Sequence, residues 1–138
     1  MKILFPILLG MTLLGGCATT NQRVLDIGGE TQLQKRSYQS RIFETADKEK
    51  VLRAVISTLQ DLGFVVERAD LMLGTVSGTK QDRNQIRITV SVRSKGTDRM
   101  LVRANAQFNV SPIEDPKQYQ DFFSSLEKSL FLTAHAGE

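Results

Sequence analysis

The chain has no tryptophan, a single cysteine and a single histidine in 138 residues. A lone thiol rules out a disulfide within the chain, so no covalent staple supports the fold. The sole histidine, His135, lies near the C-terminal end, and one imidazole does not make the ligand sets that metal centres use. No apolar run reaches the roughly 20 residues needed to cross a hydrocarbon core as a helix. Neither sign of charge dominates: Lys and Arg number 18 against 15 Asp and Glu, for a net charge of +3. The small basic excess is spread along the chain. Nucleic-acid binding requires it clustered, so no nucleic-acid partner is expected.

Catalytic patterns are equally scarce. No serine stands in a Gly-x-Ser-x-Gly setting. Gly74 and Gly78 are spaced as in part of a phosphate loop but lack the Lys-Ser/Thr that follows in one. The acidic pairs Asp47/Glu49 and Glu114/Asp115 sit where helices should start, and there they favour the positive end of the helix dipole. These absences predict no catalytic residue, no metal site and no cofactor, and therefore not an enzyme.

What is present is concentrated at the start of the chain. Lys2 precedes an apolar stretch of about a dozen residues, Ile3 to Leu14, and Gly15-Gly16 then supply small side chains. Those are the three parts of a secretory signal. Polar residues from Thr19 to Arg23 follow directly, so nothing extends the stretch into a stop-transfer segment. An exported protein with one thiol also avoids stray bridges in an oxidising compartment.

Leu14-Gly15-Gly16-Cys17 resembles the bacterial lipobox. The resemblance implies that Leu14, Gly15 and Gly16 are read by a signal peptidase and that the Cys17 thiol takes a diacylglyceryl group. Cleavage before Cys17 and acylation of the new amine then follow. Only a thiolate is nucleophilic enough for such alkylation under mild conditions. The mature protein is thus expected to be held on a membrane by covalent lipid. Ala18 rather than Asp after the cysteine implies, for a Gram-negative host, the periplasmic side of the outer membrane.

Residues 1–16 therefore read as signal peptide, 17–37 as lipidated N-terminus and flexible tether, and 38–134 as one domain. Residues 18–37 are mostly polar around Gly28-Gly29, and a coil of ~20 residues would hold its ends roughly 25 Å apart. Val24, Leu25, Ile27 and Leu33 are sparse apolar positions within it.

In the domain, Tyr38 to Thr45 reads as a strand and Asp47 as the N-cap of a helix. Val51, Leu52, Val55, Ile56, Leu59 and Leu62 line one face of that helix, and Gly63 follows as a C-cap. Phe64 to Arg68 and Leu71 to Lys80 read as extended, with a turn at Ala69-Asp70. Gly74 and Gly78 are expected to lie in the second of these, where they would admit a helix backbone. Ile86, Ile88, Val90 and Val92 alternate with Arg87, Thr89, Ser91 and Arg93. After a turn at Lys95 to Asp98, Val102 to Val110 alternates with Arg103, Asn105, Gln107 and Asn109. This is a long hairpin with one apolar and one wet face. Asp115-Pro116 opens a last helix with Tyr119, Phe122, Phe123, Leu126 and Leu130 on one side.

The order β-α-β-β-β-β-α predicts an α+β two-layer sandwich, an antiparallel sheet with two helices on one face. A second layer over the arginines would bury unpaired charge. The arrangement resembles the helix-grip domains of the lipoprotein subunit of the outer-membrane β-barrel assembly machine. The run Leu59-Gln60-Asp61-Leu62-Gly63-Phe64 followed by Gly74-Thr75-Val76 is similar to small proteobacterial lipoproteins.

One surface is a candidate interaction face. Arg87, Arg93, Arg103, Asn105 and Gln107 should share the wet side of the hairpin, where guanidinium forks and amides suit an anionic partner. The expected function is a non-enzymatic interaction or scaffold module with a protein partner in the cell envelope. The alternative is a carrier of a lipid or small ligand in a cleft between sheet and helices, with Gly74, Gly78, Ala104 and Ala106 leaving room. A void between the layers favours the carrier, and a closed core the scaffold.

Overall fold

A computed structural model describes residues 31–82 and 84–135, with the side chains of Asp82 and of 132–135 left undescribed. The signal, the lipobox, Cys17 and the tether up to residue 30 lie outside the described residues. Nine elements follow in order: α1 (Gln32–Gln39), β1 (Ser40–Phe43), α2 (Lys48–Asp61), β2 (Val65–Asp70), β3 (Thr75–Asp82), β4 (Asn84–Lys95), β5 (Arg99–Phe108), β6 (Ser111–Pro112) and α3 (Pro116–His135). The strands form one antiparallel sheet in the order β1-β5-β4-β3-β2, with β6 added beside β5. The α+β class and the sandwich of an antiparallel sheet with helices are as expected.

Local chemistry sets the helix ends. The Asp47 carboxylate accepts the Lys50 N–H at 2.9 Å, capping α2. At the other end Gly63, at φ +84°, reverses the chain. Gly63 N–H then donates to the Gln60 carbonyl, and Phe64 N–H to that of Leu59, both at 2.9 Å. This is the paired hydrogen-bond pattern of a Schellman end, with Phe64 packing back over the last turn. Asp115 accepts the Lys117 N–H at 3.0 Å and Pro116 begins α3, where its missing N–H costs no bond.

The core lies between the sheet and α2 plus α3. Val76, Ile88, Val90, Val92, Met100, Val102 and Ala104 from the strands meet Val51, Leu52, Val55 and Leu59 of α2, and Phe122, Phe123 and Leu126 of α3. Alternation along β4 and β5 sends these residues inward and their neighbours outward. Thr58 is the exception on α2. It is buried in the apolar face, and its hydroxyl has no partner.

Four expectations are corrected. Of the strand expected from Tyr38 to Thr45, β1 occupies only Ser40–Phe43, and α1 runs up to it from Gln32. The helix is polar in sequence, and distant partners hold it. Tyr38 packs on Tyr119 with ring centres 5.4 Å apart, and Lys35 pairs with Glu114.

The chain turns at 71–74 rather than at Ala69-Asp70. Asp70 Oδ1 accepts from Leu73 N–H at 2.9 Å, and its carbonyl accepts from Gly74 N–H at 2.8 Å. Gly74 is therefore in the turn, not in a strand. Gly78 lies on the helix-covered side of β3 with Val76, but the backbone that comes close to it is that of β2. A Cβ there would sit 2.9 Å from the Val65 carbonyl oxygen of β2, beside the bulge between Val66 and Arg68. Finally, Asn109 adopts φ +55° and ends β5, leaving Val110 exposed instead of continuing the alternation.

Candidate functional site

Among the described residues, the sheet has one face under the helices and one face open. Register fixes what the open face carries. Arg87 pairs with Gln107, Thr89 with Asn105 and Ser91 with Arg103, while Arg93 stands opposite Leu101. The residues named from the sequence, Arg87, Arg93, Arg103, Asn105 and Gln107, are thus brought to one surface. Thr75, Ser77 and Thr79 extend it across β3, opposite Ser91, Thr89 and Arg87. Sequence alternation was weak in β3, and these three hydroxyls were not foreseen on the face.

The electrostatics are uneven. At the β2 side Glu67 accepts from the Thr79 hydroxyl at 2.8 Å, and Arg68 lies 3.8 Å from Asp70. Along β4 and β5, no carboxylate of the described residues pairs with Arg87, Arg93 or Arg103. Arg93 and Arg103 are diagonal neighbours across the ladder, a spacing of roughly 7–8 Å between their backbones. Arg103 is half-buried, and its Nε is shielded from solvent without an acceptor. An anion laid across this pair would meet two forks of donors and relieve their mutual repulsion.

A second feature is a groove of about 250 Å³ at one end of the layer interface. Its floor is Ile86, Ile88 and Ala106, and its walls are Leu62 and Phe64 after α2 and Phe122 of α3. Unlike a second opening of about 270 Å³ where Leu52 and Ile56 of α2 meet Ala69, Leu71 and Val76, this groove lies against α3. Of the four small residues expected to leave room, only Ala106 lines this groove. Ala104 is fully buried, and Gly74 and Gly78 are close backbone approaches.

Two polar devices border the groove. The Tyr119 hydroxyl donates to the Ile113 carbonyl at 2.8 Å and accepts from Ala106 N–H at 3.1 Å. The buried Gln39 amide nitrogen also reaches it, at 3.4 Å. One phenol thereby ties α1, β5 and the approach to α3 together. Sequence periodicity read Tyr119 only as an apolar helix residue. Lys80 is the other device. Its Nζ donates to the Leu62 carbonyl at 3.0 Å, closing the C-terminal end of α2, and stands 6.0 Å from the Phe64 ring centre. Asp121 at the rim is already engaged by Lys117 at 2.8 Å. The hydrogen bond and the charge of Asp121 raise the Lys117 pKa above the usual lysine value.

Among the described residues no three His, Cys, Asp or Glu side chains cluster in a way that would hold a metal ion. No described helix is long and apolar enough to cross a membrane. No protein-family model matches the chain, and no curated protein matches it either.

Proposed function

We propose that the protein is a lipid-anchored, periplasm-facing lipoprotein of the outer membrane, and that it works as a non-enzymatic interaction module. The anchor is the Cys17 thiol, reached through the Leu14-Gly15-Gly16 signal. The working surface is the open sheet face, and its partner is an envelope protein with an acidic patch. The observation that carries the reading is the register of β4 and β5, which sets Arg87, Arg93 and Arg103 on one uncovered surface without carboxylate partners among the described residues. Guanidinium groups in such a setting offer planar forks for carboxylates, with the amides of Asn105 and Gln107 adding directional bonds. Tethering to a surface raises the effective concentration toward neighbours held on the same surface, so each contact can be weak.

Two measurements test this. Cross-linking in intact cells, followed by mass spectrometry, should recover a partner with wild type. It should lose that partner when Arg87, Arg93 and Arg103 are all changed to Ser and circular dichroism shows the fold retained. An unchanged set of cross-linked proteins would defeat the reading of the face. Palmitate labelling should mark wild type and leave Cys17→Ser unmarked, and equal labelling of both would defeat the reading of the anchor.

A further inference from the structure

The end groove has a chemistry of its own, unlike that of the open sheet face. Its floor and walls are hydrocarbon, from Ile86, Ile88, Ala106, Leu62, Phe64 and Phe122. About 250 Å³ is room for roughly eight water-sized groups in a row or cluster. Beyond Lys80, Gln118 and Asp121, water filling such a space finds few partners, because the Tyr119 hydroxyl and the adjoining Ala106 N–H are bonded to each other. The lining favours an apolar occupant.

Charge narrows the choice. Two charged groups line the groove, Lys80 and Asp121. Asp121 is compensated by Lys117 at 2.8 Å, and Lys80 has no counter-ion among the described residues. An ammonium has three donors, and Lys80 uses one, on the Leu62 carbonyl at 3.0 Å. Two remain available for an anion at the rim, and the Phe64 ring beside them limits competition from water. An apolar trough with one uncompensated cation at its edge matches a molecule that has a short hydrocarbon body and one anionic head.

We propose that this groove binds a single-chain anionic amphiphile, with its chain on Ile86, Ile88 and Ala106 and its headgroup on the Lys80 ammonium. The head is a carboxylate or a phosphate, as in a free fatty acid or a lysophospholipid. The open sheet face takes no part, so occupancy of the groove stands or falls apart from the arginine surface.

The test is titration of the full-length chain, labelled at isoleucine methyls, with decanoate, decyl phosphate and decanol. Ile86, Ile88 and Ile113 report the groove, and Ile42 on β1 is the remote reference. Decanoate or decyl phosphate should shift the groove methyls saturably and leave Ile42 still. The tighter of the two identifies the headgroup. Decanol should bind about tenfold more weakly than the better anion. Lys80→Met should weaken the anion about tenfold and abolish its advantage over decanol, while Lys80→Arg should keep that advantage. Ala106→Leu should block all three ligands. If Lys80→Met disturbs the fold, seen as movement of Ile42 without ligand, the comparison of anion with decanol in wild type decides. Absence of saturable shifts, equal binding of decanol and the anions, or unchanged anion affinity in a folded Lys80→Met overturns the proposal.

Discussion

Single atoms in this domain divide into those that hold the fold and those that burden it. The Tyr119 hydroxyl is of the first kind. It satisfies the Ala106 N–H and the Ile113 carbonyl at once, from a buried ring where water cannot fully replace it. Removing it leaves both groups short of a partner, which costs about 1–3 kcal/mol. Tyr119→Phe should therefore lower unfolding stability by that amount in a urea titration, although the ring still fills its place. An unchanged midpoint would mean that the hydroxyl network carries no stability. Arg103 is of the second kind. Its Nε is shielded and has no acceptor, and Arg93 stands diagonally beside it. Arg103→Met keeps the aliphatic stem and removes both burdens, so stability should hold or rise by up to about 1 kcal/mol. Under the proposed function, capture of an envelope partner should fall in the same variant. A variant that loses stability but keeps its partner would show that the guanidinium serves the fold instead.

Elements were legible where their signals are local. The end of α2 follows from Gly63 and the start of α3 from Asp115-Pro116, because each boundary is decided within four residues of chain. The β4–β5 hairpin and its arginine face were legible for the same reason, since alternation alone says which side each residue takes. The first helix was not legible. Its eight residues carry no apolar stripe, and its support comes from Tyr119 and Glu114, about 80 positions away. The groove was missed in detail because its lining comes from α3, the end of α2 and three strands, which no single window of sequence brings together. The glycines show the same division. Gly74 and Gly96 both sit in turns at positive φ, +69° and +75°, and look alike in sequence. A Cβ on Gly96 would meet nothing within 4 Å, whereas one on Gly74 would lie 2.4 Å from the Val92 carbonyl oxygen. Gly96→Ala should cost only the left-handed strain, about 1–2 kcal/mol. Gly74→Ala should cost about 1–3 kcal/mol more, because the β2–β3 turn must move away from β4. Equal denaturation midpoints for the two variants would refute the close approach at Gly74.

For the molecule as a whole, the decisive matter under the proposed function is what would keep it on a membrane. The described domain has no helix able to cross a bilayer, and the net charge of +3 is too small and scattered to bind one by electrostatics alone. Acyl chains on Cys17 would supply about 0.8 kcal/mol per buried methylene, and two or three chains make attachment effectively permanent. The domain, by contrast, has a core of its own, so it should survive separation from the anchor. A protease site inserted after Gln22 separates the two contributions. Cleavage of isolated membranes should release the domain to the supernatant with the circular dichroism of the intact protein, and the acylated stub should stay in the pellet. If the cut domain sedimented with the membrane even in high salt, lipid at Cys17 would not be the main attachment. The open sheet face or the exposed Leu71-Met72-Leu73 turn would then have to hold the protein there. If cleavage instead unfolded the domain, the chain before residue 32 would be part of the fold rather than a leash.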